Sequence, residues 1–184
     1  VVTVCKTCES RDQWDQYCIE WKIAFGFAES IWNRHHPKPR LSTIEASEED
    51  VGVIGSALQQ LRFDSWDKLA LVLVGPTGCG KTVWARRHAP KPALFVRHLD
   101  RLREFNPNYH KSIIFDDMKF THMPTQAQIH LVDQYCHSDI HCRYTTASIP
   151  PGTPKIFTCN ERPFEDHPAI RRRIHYVQVN IDWQ

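Results

Sequence analysis

The residues of this chain most able to do chemistry form one run, Gly75-Pro76-Thr77-Gly78-Cys79-Gly80-Lys81-Thr82, which fits the complete phosphate-loop pattern G-x4-G-K-S/T. Its glycines let the backbone turn N–H groups inward around phosphate oxygens. The helix that follows would present its positive end to the same oxygens. In such a loop Lys81 reaches the β- and γ-phosphates of a nucleotide and Thr82 offers its hydroxyl to Mg²⁺, while Cys79 reads as packing. A second group is the apolar run Ser112–Phe115 followed by Asp116-Asp117. Asp116 is suited to hold Mg²⁺ through its water shell, and Asp117 to orient or deprotonate an attacking water. A third run, Lys155–Cys159, ends in Asn160, whose amide can hydrogen-bond both a phosphate and a water.

For these groups to meet, the three runs must lie side by side with their ends on one edge, as parallel strands do. Buried on both faces, parallel strands read as unbroken apolar runs, and ligands bind at their carboxyl ends. Leu69–Val74, Ala93–Val96, Ser112–Phe115, Lys155–Thr158 and Tyr176–Val179 are the predicted strands. A helix is expected after each of the first two and another over Thr125–Tyr135, with Pro124 suited to its first turn. The N-terminal part has a different texture. Trp14, Cys18, Trp21, Phe25, Ala28 and Trp32 make one helical stripe, capped at Ser10 and stopped by His36-Pro37-Lys38-Pro39. A second helix is expected from Ser47 to Leu61, with Val51, Ile54, Leu58 and Leu61 on one face. The chain therefore reads as a helical module, residues 1–64, in front of an α/β domain, residues 65–184. The aromatic stripe either packs within the protein or serves as a subunit contact.

The 184 residues suffice for one domain and an appendage. Lys and Arg total 23 against 21 Asp and Glu, a net charge of +2, which excludes a purely electrostatic nucleic-acid binder and requires any such contact to be local. The longest apolar run, Leu69–Val74, falls far short of the roughly 20 residues of a membrane span. Seven cysteines, an odd number with no signal-peptide pattern before them, argue for a reducing cytosol or nucleus. Cys5-x-x-Cys8 with Cys18 and His35 or His36 is either part of a zinc set or a group of reduced thiols. Cys136, His137, His141 and Cys142 form a weaker cluster of the same kind.

Gly75–Ala85, His98-Leu99-Asp100, Ile113–Asp117 and Thr153–Asn160, in this order, resemble the superfamily 3 helicase domain of the replication-associated (Rep) proteins of circular single-stranded DNA viruses such as geminiviruses and circoviruses. The likeness runs over residues 66 to 182. It implies an AAA+-like P-loop fold, a homo-oligomeric ring, usually a hexamer, and ATP-driven 3′ to 5′ unwinding of DNA in a host nucleus. It also implies that Gly75–Thr82 is Walker A, that Asp116 and Asp117 end Walker B, and that Asn160 is the polar sensor of motif C. Ala169–Ile174 is similar to the stretch that carries the family's arginine finger, with Arg172 and Arg173 as candidates. Such a guanidinium, reaching the ATP of a neighbouring subunit, can be worth roughly 10³–10⁵ in rate.

The sequence departs from the family in two places. The channel hairpin of the family carries a lysine just before a Gly-Gly pair, whereas the matching stretch Arg143–Gly152 has Pro150 there. Single-stranded DNA would then be met by Lys119, His141, Arg143 and Tyr144, an Arg-Tyr pair combining charge with a stacking face. The endonuclease domain that family members carry is also missing. No Tyr is followed by Lys three positions on, and His35-His36 lack the intervening residue of the metal motif. Residues 1–64 fit the oligomerisation segment between nuclease and motor, and the start at Val1 suits a piece of a longer protein with the nuclease upstream. Two rival functions share Walker A: a small-molecule P-loop kinase, and a scaffold that nucleotide assembles without unwinding.

Overall fold

The structure, a computed structural model, describes all residues except 9, 36–41, 46–51, 63–67, 144 and 181–184. The chain divides into two compact units, Val1–Leu41 and Ser42–Gln184, an earlier boundary than the expected residue 64.

The first unit contains α1 (Val2–Thr7), α2 (Arg11–Glu20) and α3 (Phe25–His35). Helix α2 starts where the sequence indicates, with the Gln13 N–H donating to Ser10 Oγ at 3.3 Å. The aromatic stripe is not one helix, however. Lys22 takes a left-handed φ of 51°, the Ile23 N–H donates to Cys18 O and the Lys22 N–H to Ile19 O. Those are the two bonds of a Schellman ending, and Ile23 packs on the cluster that holds Cys18. The chain turns back, so Trp14 and Trp32 stack with ring centroids 6.3 Å apart, while Trp21 and Phe25 at the reversal are 65% and 78% exposed. Cys5 and Cys18 lie inside this cluster, and burial is the first cause raising both thiols above their ordinary value. Among the described residues no three His, Cys, Asp or Glu side chains gather to hold a metal, here or around His137 and His141.

The second unit contains, in order, β1 (Thr43–Ile44), α4 (Ser56–Gln59), β2 (Ala70–Val74), α5 (Lys81–His88), β3 (Ala93–Val96), a 3-10 helix (Leu99–Glu104), β4 (Ser112–Asp116), α6 (Thr125–Val132), β5 (Ser138–Cys142), β6 (Thr145–Ile149), β7 (Lys155–Cys159), α7 (Pro168–Arg171) and β8 (Ile174–Gln178). Six strands form one sheet in the order β1-β3-β4-β7-β2-β8, and β5 pairs with β6 in a separate antiparallel hairpin. Among the described residues only β1 is antiparallel in the main sheet. The architecture is thus α/β, with a central, mostly parallel sheet preceded by N-terminal helices. Alternate side chains feed two cores, as a sheet buried on both faces requires. Leu71, Leu73, Ile114 and Ile156 pack with Trp84 and Ala85 of α5. Val72, Val74, Phe115 and Phe157 pack on the other face with Leu131 of α6, Ile140 and Ile149 of the hairpin, and Leu102.

Of the helix expected over Ser47–Leu61, the described residues from 52 on hold only the single turn α4, and residues 46–51 lie outside the described residues. Gly52–Gly55 is irregular because it passes directly over the phosphate loop. The Gly55 N–H donates to Cys79 O at 3.2 Å, and a Cβ on Gly55 would stand 2.9 Å from that oxygen. The helix expected after β3 is the short 3-10 turn.

At the amino edge of the sheet two buried charges, Asp133 and Lys155, gather with the partly buried Arg173. Asp133 follows α6 and accepts Arg173 Nε at 2.9 Å and the N–H groups of Tyr135 and Cys136. Lys155, 2% exposed, donates to the Asp133 carbonyl at 2.6 Å. Burial, partly countered by the Asp133 carboxylate, pulls the Lys155 ammonium from 10.5 down to about 8. Below pH 8 the amine is protonated folded and unfolded, and the full cost of burying it is present. Between pH 8 and 10.5 the unfolded chain keeps a proton that the folded one has lost, so this group's contribution to stability rises with pH. Urea unfolding of wild type and Lys155→Met across this range should therefore give a stability difference that shifts by about 3 kcal/mol in favour of wild type as the pH rises.

Candidate functional site

Strands β2, β7 and β4 are adjacent and parallel, so the ends of all three fall on one edge. Strand β7 lies between the strand that leads into Gly75 and the one that ends at Asp116, and this order sets Asn160 between the loop and the acids. The edge encloses a cavity of about 460 Å³ lined among others by Thr77, Lys81, Thr82, Asp116, Asp117 and Asn160.

The loop leaves β2 under close restraint. A Cβ at Gly75 would meet Val179 O at 2.1 Å, and one at Gly80 would meet Val53 O at 2.7 Å at a backbone φ of +85°, so neither position admits a side chain. Pro76 and Thr77 are exposed, as is Gly78, which has φ +86°. Cys79 is buried and its thiol donates to Pro76 O at 3.0 Å, the packing role expected of it. Lys81 opens α5 and is only 7% exposed. Its ammonium donates to Gly75 O and Pro76 O, each at 2.8 Å, and to Asn160 Oδ1 at 3.3 Å.

Asp116, also 7% exposed, accepts both Thr82 Oγ1 at 2.6 Å and Thr158 Oγ1 at 2.8 Å on Oδ1. Asp117 next to it points to solvent with a left-handed φ of 53°, a conformation that Asp tolerates better than most residues and that is often stored at functional sites. Its N–H is held by Thr158 O at 2.7 Å, and its carboxylate accepts Asn160 Nδ2 at 3.1 Å. Asn160 therefore bridges the two halves, its oxygen facing an ammonium and its amide nitrogen a carboxylate. Cys159 beneath it donates to Met118 O, and burial pushes its thiol up to about 12, so it stays protonated.

The structure thus brings together every residue expected around the phosphate loop and both acids. It adds two that motif reading passed over. Thr158 shares the Asp116 oxygen with Thr82. Arg97, the residue after β3, lines the same cavity and sets Nε 3.4 Å from Asp116 Oδ2. A lone Arg after a strand belongs to no pattern; its position directly after an apolar run was the only signal.

The expected arginines lie at the other end of the sheet. Ala70 N donates to Arg173 O, which places Arg173 at the foot of β2, opposite the loop. Five residues of strand at about 3.3 Å each separate the two edges. Arg173 is also committed: its guanidinium serves Asp133 and Ala169 O, because its side chain turns into the fold. Arg171 pairs with Asp166. Arg172 is exposed.

Of the expected DNA contacts, Arg143 stands at the hairpin turn with its N–H on Asp100 Oδ1 at 2.7 Å. His141 is exposed on the outer face of β5 with Nδ1 3.3 Å from Thr146 Oγ1. Lys119 lies in an exposed pair with Glu161, and Tyr144 lies outside the described residues. Pro150, which stands where the family has its lysine, follows β6 at the base of the hairpin, where the Gly152 N–H donates to Gln134 O. Among the described residues no helix is long and apolar enough to cross a membrane. Neither the models of known protein families nor the curated proteins give a match to this chain.

Proposed function

We propose that the chain is the ATP-hydrolysing motor of a superfamily 3 helicase, AAA+-like in fold, which acts with Mg²⁺ as a homo-oligomeric ring on single-stranded DNA. The observation that carries this reading is the meeting of Lys81, Thr82, Asp116, Asp117 and Asn160 around one cavity at the carboxyl edge. A buried carboxylate sharing one oxygen between two hydroxyls is a donor set that Mg²⁺ takes when phosphates complete its shell. Thr82 and Asp116 would hold the ion, whose charge neutralises the phosphate oxygens. Lys81 and the loop N–H groups bind the phosphates, and Asp117, oriented by Asn160, faces the attacking water. Arg172 is the finger candidate, and its place opposite the loop supports action on a neighbouring subunit. Arg143 at the hairpin turn is the candidate DNA contact.

The test is Mg²⁺-dependent ATP turnover, expected to rise several-fold with single-stranded DNA. A rise with a small hydroxylated metabolite instead would identify a kinase, and nucleotide-driven assembly without turnover would identify a scaffold. Arg172→Ala subunits doped into wild type should depress activity more than in proportion to their share. A strictly linear decline would argue against a finger acting across subunits.

A further inference from the structure

Arg97 belongs to the cavity but not to any motif that defines it. We infer that Arg97 is a cation supplied within the same subunit to the γ-phosphate, and that it lets the site distinguish a nucleoside triphosphate from a diphosphate. This rests on the proposal that the cavity takes ATP.

The first observation is position. Strand β3 is parallel to β4, with Val96 beside Phe115, so Arg97 emerges level with Asp116 on the carboxyl edge. The second is the oxygen it faces. Thr82 and Thr158 both bond Asp116 Oδ1, and Arg97 Nε stands 3.4 Å from the other oxygen, Oδ2. At 3.4 Å with a side chain 72% exposed, this is a loose pair that the arginine can leave. The third is charge. Among the described residues, the ionisable side chains lining the cavity are Lys81, Arg97, Asp116 and Asp117. Without Arg97 two of these carboxylates face a single lysine; with it the positive and negative groups balance, which favours a polyphosphate.

A planar guanidinium matches a carboxylate and a phosphate with the same fork of donors. Arg97 can therefore release Asp116 Oδ2 as that carboxylate turns to Mg²⁺, and close on the terminal phosphate instead. Lys81 approaches from the loop, where Gly75 O and Pro76 O hold its ammonium, so Arg97 supplies a second cation, from the end of β3. On this assignment a diphosphate lacks the phosphate on which the guanidinium closes, so the discrimination rests on the γ-phosphate.

The experiment measures equilibrium binding, without turnover, of ADP and a non-hydrolysable ATP analogue to the full chain in Mg²⁺, by displacement of a fluorescent nucleotide. Arg97→Ala should weaken the ATP analogue by about tenfold or more while ADP stays within about threefold. Arg97→Lys should recover only part of the loss, because charge without the fork is restored. Lys81→Ala should weaken both nucleotides. An unchanged ATP-to-ADP ratio in Arg97→Ala, or an equal loss of both, would overturn the assignment, the second by making Arg97 only a support for Asp116. Failure of wild type to bind either nucleotide would instead remove the ATP reading itself.

Discussion

Lys81→Ala is expected to cut ATP turnover by roughly 10²–10³-fold or more, the cost of losing a preorganised charge where negative charge develops. The reason lies in its partners. Gly75 O, Pro76 O, Cys79 Sγ and Asn160 Oδ1 are all neutral acceptors. A cation only 7% exposed and bonded to dipoles alone, among the described residues, keeps its charge for an anionic ligand. Removing it should leave the melting temperature close to that of wild type, because the desolvation cost of a buried ammonium bonded to neutral acceptors offsets what those bonds contribute. Lys81→Arg serves as the second variant, since it keeps the charge but fits the loop poorly. Hydrolysis at the wild-type rate in Lys81→Ala, with melting unchanged, would separate the loop from the chemistry.

Arg173→Ala is expected to act in the opposite way, by weakening the α/β unit by roughly 3–5 kcal/mol, the cost of breaking a buried ion pair from one side. The Asp133 side chain is 8% exposed, and the loss would leave it with the backbone donors Tyr135 and Cys136 and the unbonded charge of nearby Lys155. Desolvation pulls the Asp133 carboxyl up, but the Arg173 hydrogen bond and those backbone donors outweigh it and hold the carboxyl below its ordinary 3.8. The stability this pair contributes is therefore fully present above that value and is lost as pH falls through the lower, folded one. Urea midpoints at neutral pH should drop sharply for Arg173→Ala, and the gap from wild type should narrow under acid. Arg172→Ala, on an exposed side chain, should stay within about 0.5 kcal/mol of wild type. A neutral Arg173→Ala would mean that the pair is not a fastening of the fold.

These two residues illustrate what a linear chain discloses. The β2, β3, β4 and β7 strands match their sequence boundaries within one residue, because a strand buried on both faces has no option but an unbroken apolar run. The loop, both acids and Asn160 were legible for the same reason: each stands at the end of such a run. Three features were not. The reversal at Lys22 depends on a left-handed lysine, which carries no glycine signal. The irregular path of Gly52–Gly55 is dictated by how closely it crosses Cys79 and Gly80, a contact with a distant part of the chain. The fate of Arg173 depends on Asp133, forty positions away and itself unremarkable in sequence.

The direction of the parallel sheet has a genetic consequence. With Lys81 at the carboxyl edge and Arg172 beyond the amino edge, a subunit damaged at one still carries the other intact. On the proposed action of Arg172 across subunits, two alleles, each inactive alone, should complement when coexpressed, because some interfaces would join an unmutated loop to an unmutated arginine. An enzyme whose catalytic groups all came from one chain could not be rescued in this way.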